Sequence, residues 1–207
     1  MKHIDFWLDF VSPYAYLAFE QLPRVLEGLD YEVRYRPILL GALLRHHGQI
    51  GPAAIATKRD WIIRHTAWQA RQLGVPLQAP AQPFNPLALL RLAHACAPNR
   101  YVCETIFRHV WRGAEAADHA AGLQALTGTL APERDPGSEA VKQALRTETN
   151  AAIEANVFGV PSYGVDGRLF WGLDALPMLR AQLQGDAALE QVWTVPARTA
   201  PGVRACL

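Results

Sequence analysis

Hydrophobic and polar positions change their rhythm twice along the chain. From His3 to Phe10 the sequence alternates loosely and is rich in Ile, Phe, Trp and Leu, which predicts a buried strand. Ser12-Pro13 follows. A serine oxygen can cap free helix amides while proline takes the first helical position without losing a hydrogen bond, so a helix is expected over Tyr14 to Leu26, closed by Gly28. Tyr31 to Pro37 sets Tyr31, Val33 and Tyr35 against Glu32, Arg34 and Arg36, the period of a strand with one polar face. Strand, helix, strand defaults to a parallel pair joined by a crossover.

The middle of the chain, from about Ala53 to Asn156, is rich in Ala, Leu, Arg and Gln and has no strand-like run. Helical spacing predicts helices over Ala53 to Leu73, Pro86 to Ala97, Arg100 to Arg112, Asp118 to Thr127 and Ser138 to Asn156. Turn signals separate them at Gly74-Val75-Pro76, Pro83 to Pro86, Pro98-Asn99 and Ala131 to Gly137. Mixed structure then returns. Val160 to Gly172 reads as two short strands around an Asp166-Gly167 hairpin turn, and Leu173 to Leu183 as a helix. The tail from Val192 to Leu207 carries two prolines and a glycine and is expected to lack regular structure. No internal repeat or low-complexity tract is present.

A length of 207 residues accommodates one domain or two intimate ones. Lys plus Arg number 20 against 19 Asp plus Glu, with no basic block of five or more, so the electrostatic footprint for nucleic acid is missing and none is expected as a partner. Apolar runs such as Ile38 to Leu44 stop far short of the roughly 20 residues a membrane span needs, and neither a membrane segment nor a secretory leader is expected. The three cysteines, Cys96, Cys103 and Cys206, form no Cys-x-x-Cys pair and no disulfide framework, which reads as a cytoplasmic protein. Cys96 and Cys103 read as small buried hydrophobes. The seven histidines show no metal-ligand spacing, and no metal is expected.

By residue type alone the candidate positions are ambiguous. Ser12 reads first as an N-cap, Asn85 before Pro86 as another, and Val160-Pro161 as a proline preceding a strand. Asp174 complements a helix dipole, while Lys58 and Arg91 could either be solvated or steer a carboxylate. The order strand, helix, strand, helical block, strand, strand, helix is that of a thioredoxin-type α/β fold interrupted by an all-helical insertion. Its expected boundaries are residues 1–45 plus 156–207 for the thioredoxin-like part and 46–155 for the insertion.

Three stretches carry a family resemblance: Asp9-Phe10-Val11-Ser12-Pro13-Tyr14-Ala15-Tyr16-Leu17-Ala18, Asn156-Val157-Phe158-Gly159-Val160-Pro161-Ser162-Tyr163, and Asp166-Gly167-Arg168-Leu169-Phe170-Trp171-Gly172-Leu173-Asp174. Together they resemble the 2-hydroxychromene-2-carboxylate isomerases, relatives of kappa-class glutathione transferases and of DsbA-like disulfide oxidoreductases. Lys58, Trp61, Leu73-Gly74-Val75-Pro76 and Phe84-Asn85-Pro86 fall at matching places in the insertion. In redox relatives the first helix opens on Cys-x-x-Cys; here Ser12-Pro13-Tyr14-Ala15 has neither sulfur, so dithiol exchange is excluded while the electropositive helix end remains.

The resemblance implies glutathione as cofactor. Ser12 would donate to its sulfur and Val160, ahead of a cis Pro161, would pair with its backbone as an added strand. Amides at Leu173 and the carboxylate of Asp174 would hold its γ-glutamyl end, with Asn85 and Lys58 contacting glutathione or substrate and Arg91 a weaker candidate. Four positions depart from the family pattern: Leu173 replaces a polar residue, Ala175 an arginine, His65 an aspartate and Trp68 an arginine, so a polar contact and the substrate wall are expected to differ. The activity implied is glutathione-dependent cis-trans isomerisation of 2-hydroxychromene-2-carboxylate or a similar aromatic carboxylate. The alternatives are a kappa-like glutathione transferase or peroxidase, and a non-catalytic thioredoxin-like module that holds peptides. Relatives are often homodimers, but no pattern in the chain marks an interface.

Overall fold

A central strand buried on both faces organises the computed structural model, which describes residues 1–80, 83–113 and 117–194. Strand β1 (Lys2–Leu8) starts exposed, and Ile4, Phe6, Trp7 and Leu8 are all buried. Cover on both sides explains why its apolar residues run together instead of alternating. Helix α1 (Pro13–Val25) leads to β2 (Tyr31–Pro37), which pairs with β1 in parallel, Lys2 opposite Tyr31 and Leu8 opposite Pro37. Helix α2 (Leu40–His46) follows, then α3 (Ala56–Leu73), α4 (Leu87–Ala95), α5 (Arg100–Trp111), α6 (Ala120–Leu130) and α7 (Glu139–Glu154). The chain closes on β3 (Ser162–Val165), β4 (Arg168–Trp171), α8 (Leu176–Gln184) and α9 (Ala187–Trp193). The sheet order is β2-β1-β3-β4, with β3 antiparallel to both β1 and β4. Asp166 and Gly167 both take positive φ, as a two-residue hairpin turn requires.

Four expectations are corrected. Helix α2 was not anticipated: its N-cap is Leu39, which offers no side-chain acceptor, so nothing in the local sequence announces it. The segment expected as one helix from Ala53 is split at Ile55, whose extended backbone separates a 3₁₀ turn (Pro52–Ala54) from α3. Likewise a 3₁₀ turn, Leu173–Ala175, precedes α8. Val192 and Trp193, placed in an irregular tail, belong to α9; Asp186 caps it by accepting the Ala188 N–H at 2.8 Å, and Trp193 packs on Phe170. The rest of that tail from 195, Cys206 included, lies outside the described residues.

Of two apolar clusters among the described residues, the larger runs from the sheet into the helical block, and the smaller gathers Ile38, Leu43, Ala152 and Val157 around Trp7. Phe107 of α5 packs its ring against Phe10 at 5.0 Å and Phe19 at 5.2 Å, and Trp111 Nε1 donates to the Phe10 carbonyl at 3.0 Å. The helices of segment 46–155 are thereby anchored to the turn that follows β1. Trp7 lies opposite Ser162, and Ser162 opposite Trp171, so the connections after β1, before β3 and after β4 all leave the same end of the sheet. The connection after β2 joins them there.

The sheet face beneath Trp7 admits no side chain at Gly164: a Cβ there would stand 2.8 and 2.9 Å from two carbons of the buried indole. Gly164→Ala is expected to cost about 1–3 kcal/mol in urea unfolding through displacement of Trp7.

Candidate active site

Asp9 follows β1 directly and is fully buried. Its Oδ1 accepts the Val11 N–H at 3.1 Å and its Oδ2 the Leu40 N–H at 2.9 Å, while its main-chain carbonyl accepts the Ser12 N–H at 3.1 Å. One side chain thus ties the loop after β1 to the start of α2. Burial pushes its carboxyl pKa up to about 7, against the opposing pull of the backbone N–H groups.

Ser12 stands at the N-terminus of α1, 7% exposed, with Pro13 at the first helical position. Its Oγ accepts the Ala15 N–H at 3.2 Å and donates to nothing among the described residues, so its hydrogen remains available. The first turn of α1 carries no acidic residue, so no side chain of that turn offsets the positive end of the helix dipole. From Ser12 to Ala15 there is no thiol. Tyr14 pairs its hydroxyl with His65 Nδ1 at 2.9 Å, so His65 is a polar partner of the first turn of α1.

Facing this end of the sheet, the Val160–Pro161 peptide is cis. Neither the N–H nor the C=O of Val160 has a hydrogen-bond partner among the described residues. Pro161 C=O accepts the Gly172 N–H at 2.9 Å, coupling this loop to the turn that carries Leu173 and Asp174. Gly172 has φ +105°, and the Asp174 carboxylate folds back over it where a Cβ would collide. Asp174 is exposed and makes no ion pair among the described residues.

Two cavities flank α3. The larger, about 480 Å³, is walled by Val11 and Pro13, by Arg59, Ile62 and Thr66 of α3, and by Phe84 and Trp111. The other, about 310 Å³, lies among Gln21, Trp68, Gln69, Gln72, Leu173 and Asp174. Gln69 Oε1 is buried there without a hydrogen-bond partner among the described residues. Trp68 therefore belongs to the Asp174 cavity and not to the wall beside Val11 and Pro13.

The remaining expected positions are dispersed. Lys58 is exposed on α3. Asn85 is exposed and acts as a local cap, its Oδ1 accepting the Leu87 N–H at 3.0 Å and its own N–H donating to Asp118 at 3.1 Å. Arg91 lines a third cavity that shares no residue with these two. The cation beside Val11 and Pro13 is Arg59, next to Lys58 in sequence; its spacing with Ile62, Ile63 and Thr66 marks one face of α3 and could have singled it out. Among the described residues no group of His, Cys, Asp and Glu could hold a metal, and no helix is long and apolar enough to cross a membrane. Cys103 is buried and Cys96 half-buried, and burial raises both thiol pKa values.

The raised Asp9 pKa has a stability consequence of definite sign. Between pH 4 and 7 the unfolded chain has released this proton while the folded protein retains it, so the Asp9 contribution to stability falls as pH rises through that window. A shift of this size corresponds to about 4 kcal/mol across the whole window. Asp9→Asn is expected to flatten that segment of the stability curve measured by urea unfolding, and to cost about 1–3 kcal/mol at low pH because its amide cannot accept both N–H groups.

The model of the DSBA-like thioredoxin domain family matches residues 3–184. A 2-hydroxychromene-2-carboxylate isomerase from Pseudomonas putida is 29% identical over 191 residues, 87% of this chain and 93% of the relative. The glutathione S-transferase kappa 1 of Rattus norvegicus is 25% identical over 208 residues, 88% of this chain and 91% of the relative. Among solved structures, a 2-hydroxychromene-2-carboxylate isomerase superposes with a TM-score of 0.79 at 25% identity, covering 94% of this chain and all of that one. The expected fold is thus borne out, and by a match over most of its length the chain belongs to the DSBA-like thioredoxin domain family.

Proposed function

We propose that this chain is a glutathione-dependent isomerase of 2-hydroxychromene-2-carboxylate or a similar bicyclic aromatic carboxylate. The observation that carries the reading is Ser12: a buried hydroxyl that donates to nothing among the described residues, at a helix N-terminus whose first turn has no acidic residue, in a fold whose own sulfurs are absent there. A site that favours a thiolate without owning one suits an external thiol. The residues fit glutathione as a peptide. Val160 offers an N–H and C=O that are unpaired among the described residues for an added strand, and the second cavity offers the Asp174 carboxylate, without an ion pair among the described residues, for its ammonium end.

When bound, glutathione supplies a thiolate whose reversible addition to a conjugated carbon of the ring-opened substrate turns the double bond into a single bond that can rotate. Ser12 holds that sulfur as thiolate through a charge-assisted hydrogen bond worth roughly 1.5–3 kcal/mol, enough to lower a thiol pKa of about 8.5 by one to two units. Val11, Pro13, Ile62 and Phe84 provide an apolar wall for the aromatic body, and Arg59 receives its carboxylate. Cys96 and Cys103, free among the described residues, agree with a reducing, cytoplasmic setting.

Near-full-length likeness to a kappa-class transferase favours one second reading, in which the same thiolate attacks an electrophile irreversibly. Accumulation of a conjugate with an electrophilic acceptor would select it.

Calorimetry is expected to show glutathione binding, and Ser12→Ala is expected to lower the isomerase rate about 10- to 100-fold with a matching rise in the bound thiol's pKa. Absence of binding, or an undiminished rate in Ser12→Ala, refutes the proposal. Arg59→Gln is expected to raise KM for the carboxylate about tenfold with kcat little changed, since it removes binding shared by ground and transition states.

A further inference from the structure

Between α2, α4 and α7 lies a cavity of about 300 Å³, the third described above, whose lining joins apolar Ala42, Leu87 and Leu145 to three cations, Arg91, Lys142 and Arg146. Its charge is not balanced. Glu139 serves both Lys142, at 3.6 Å, and Arg146, at 2.7 Å, whereas no carboxylate pairs with Arg91 among the described residues. Glu148, also on α7, is committed to Arg36. The Nε of Arg91 is moreover buried without an acceptor among the described residues. A guanidinium N–H stripped of water gains nothing until an acceptor arrives, and a planar carboxylate is the group that matches its fork.

We propose that this cavity is a second ligand site, which takes a small organic carboxylate on an apolar body, its carboxylate on Arg91. A bare inorganic anion would leave Ala42, Leu87 and Leu145 uncovered. An apolar body beside the charge buries them, and the volume lies at the small end of the range for organic ligands, roughly 300–1,000 Å³. No residue of this cavity lines those beside Ser12 or Asp174, so the site does not depend on the glutathione reading.

The test is calorimetric titration of the full chain with 2-naphthoate and, separately, with inorganic phosphate, in the wild type, Arg91→Met, Arg91→Lys and Arg59→Gln. The expected result is a class of 2-naphthoate sites whose affinity falls about tenfold or more in Arg91→Met, recovers in part in Arg91→Lys, and stays within twofold in Arg59→Gln. Phosphate is expected to bind at least tenfold more weakly than 2-naphthoate. Should Arg91→Met fail to fold, Arg146→Met, at a half-exposed position, reports on the same cavity with a several-fold loss. Wild-type affinity in the Arg91 and Arg146 variants, loss in Arg59→Gln alone, or phosphate binding as tight as 2-naphthoate overturns the proposal.

Discussion

Asp9 accepts a main-chain N–H from each of two chain segments that leave the sheet beside Ser12, and it does so while fully buried. Backbone donors withdrawn from water need partners, and the N–H groups of Val11 and Leu40, beyond the last ladder residues of β1 and β2, find theirs in this one side chain. A carboxylate, with two oxygens and several lone pairs, satisfies both. The position of Ser12, whose N–H is held by the Asp9 carbonyl, follows from that junction. So does the start of α2, which has no side-chain cap of its own.

The rest of the site is placed by register and by α3. Pairing of Trp7 with Ser162 and of Ser162 with Trp171 brings the cis proline and the Gly172 to Asp174 turn to the same end of the sheet as Ser12. Helix α3 then lies over that end and gives a cavity to each flank. One face, Arg59, Ile62 and Thr66, closes on Val11 and Pro13; another, Trp68, Gln69 and Gln72, closes on Asp174. A single helix can wall two separate cavities because its residues return to the same face every three or four positions.

Ser12, Pro161, Leu173 and Asp174 each sit at a punctuation mark, a cap, an X-Pro bond or a turn, so their local structure is legible in the sequence, whereas the roles expected of them come only from the family resemblance. Asn85 was legible for the same reason, and the structure shows it acting as the cap its neighbours announce. Lys58 carries the sequence expectation while Arg59 lines the cavity, since which of two adjacent cations on a helix faces inward depends on the phase of α3 against α1, information that resides in the packing. Asp9 was visible only as part of a family-like stretch. Its role rests on Leu40, 31 residues away, and on the parallel crossover between them.

Its protonation also bears on the proposed chemistry. An ionised, buried carboxylate three residues before Ser12 opposes any negative charge gathered at the N-terminus of α1, and low local dielectric makes that opposition stronger than it would be in water. Burial holds the Asp9 pKa at about 7, far above that of an exposed aspartate, so that near neutrality much of this charge is absent. The residue can then keep both N–H groups bound without fully countering the helix dipole. On this argument the thiolate-stabilising power of the Ser12 site weakens as pH rises through 7, just where a free thiol begins to ionise unaided, and the advantage over uncatalysed thiol chemistry is greatest on the acid side of neutrality.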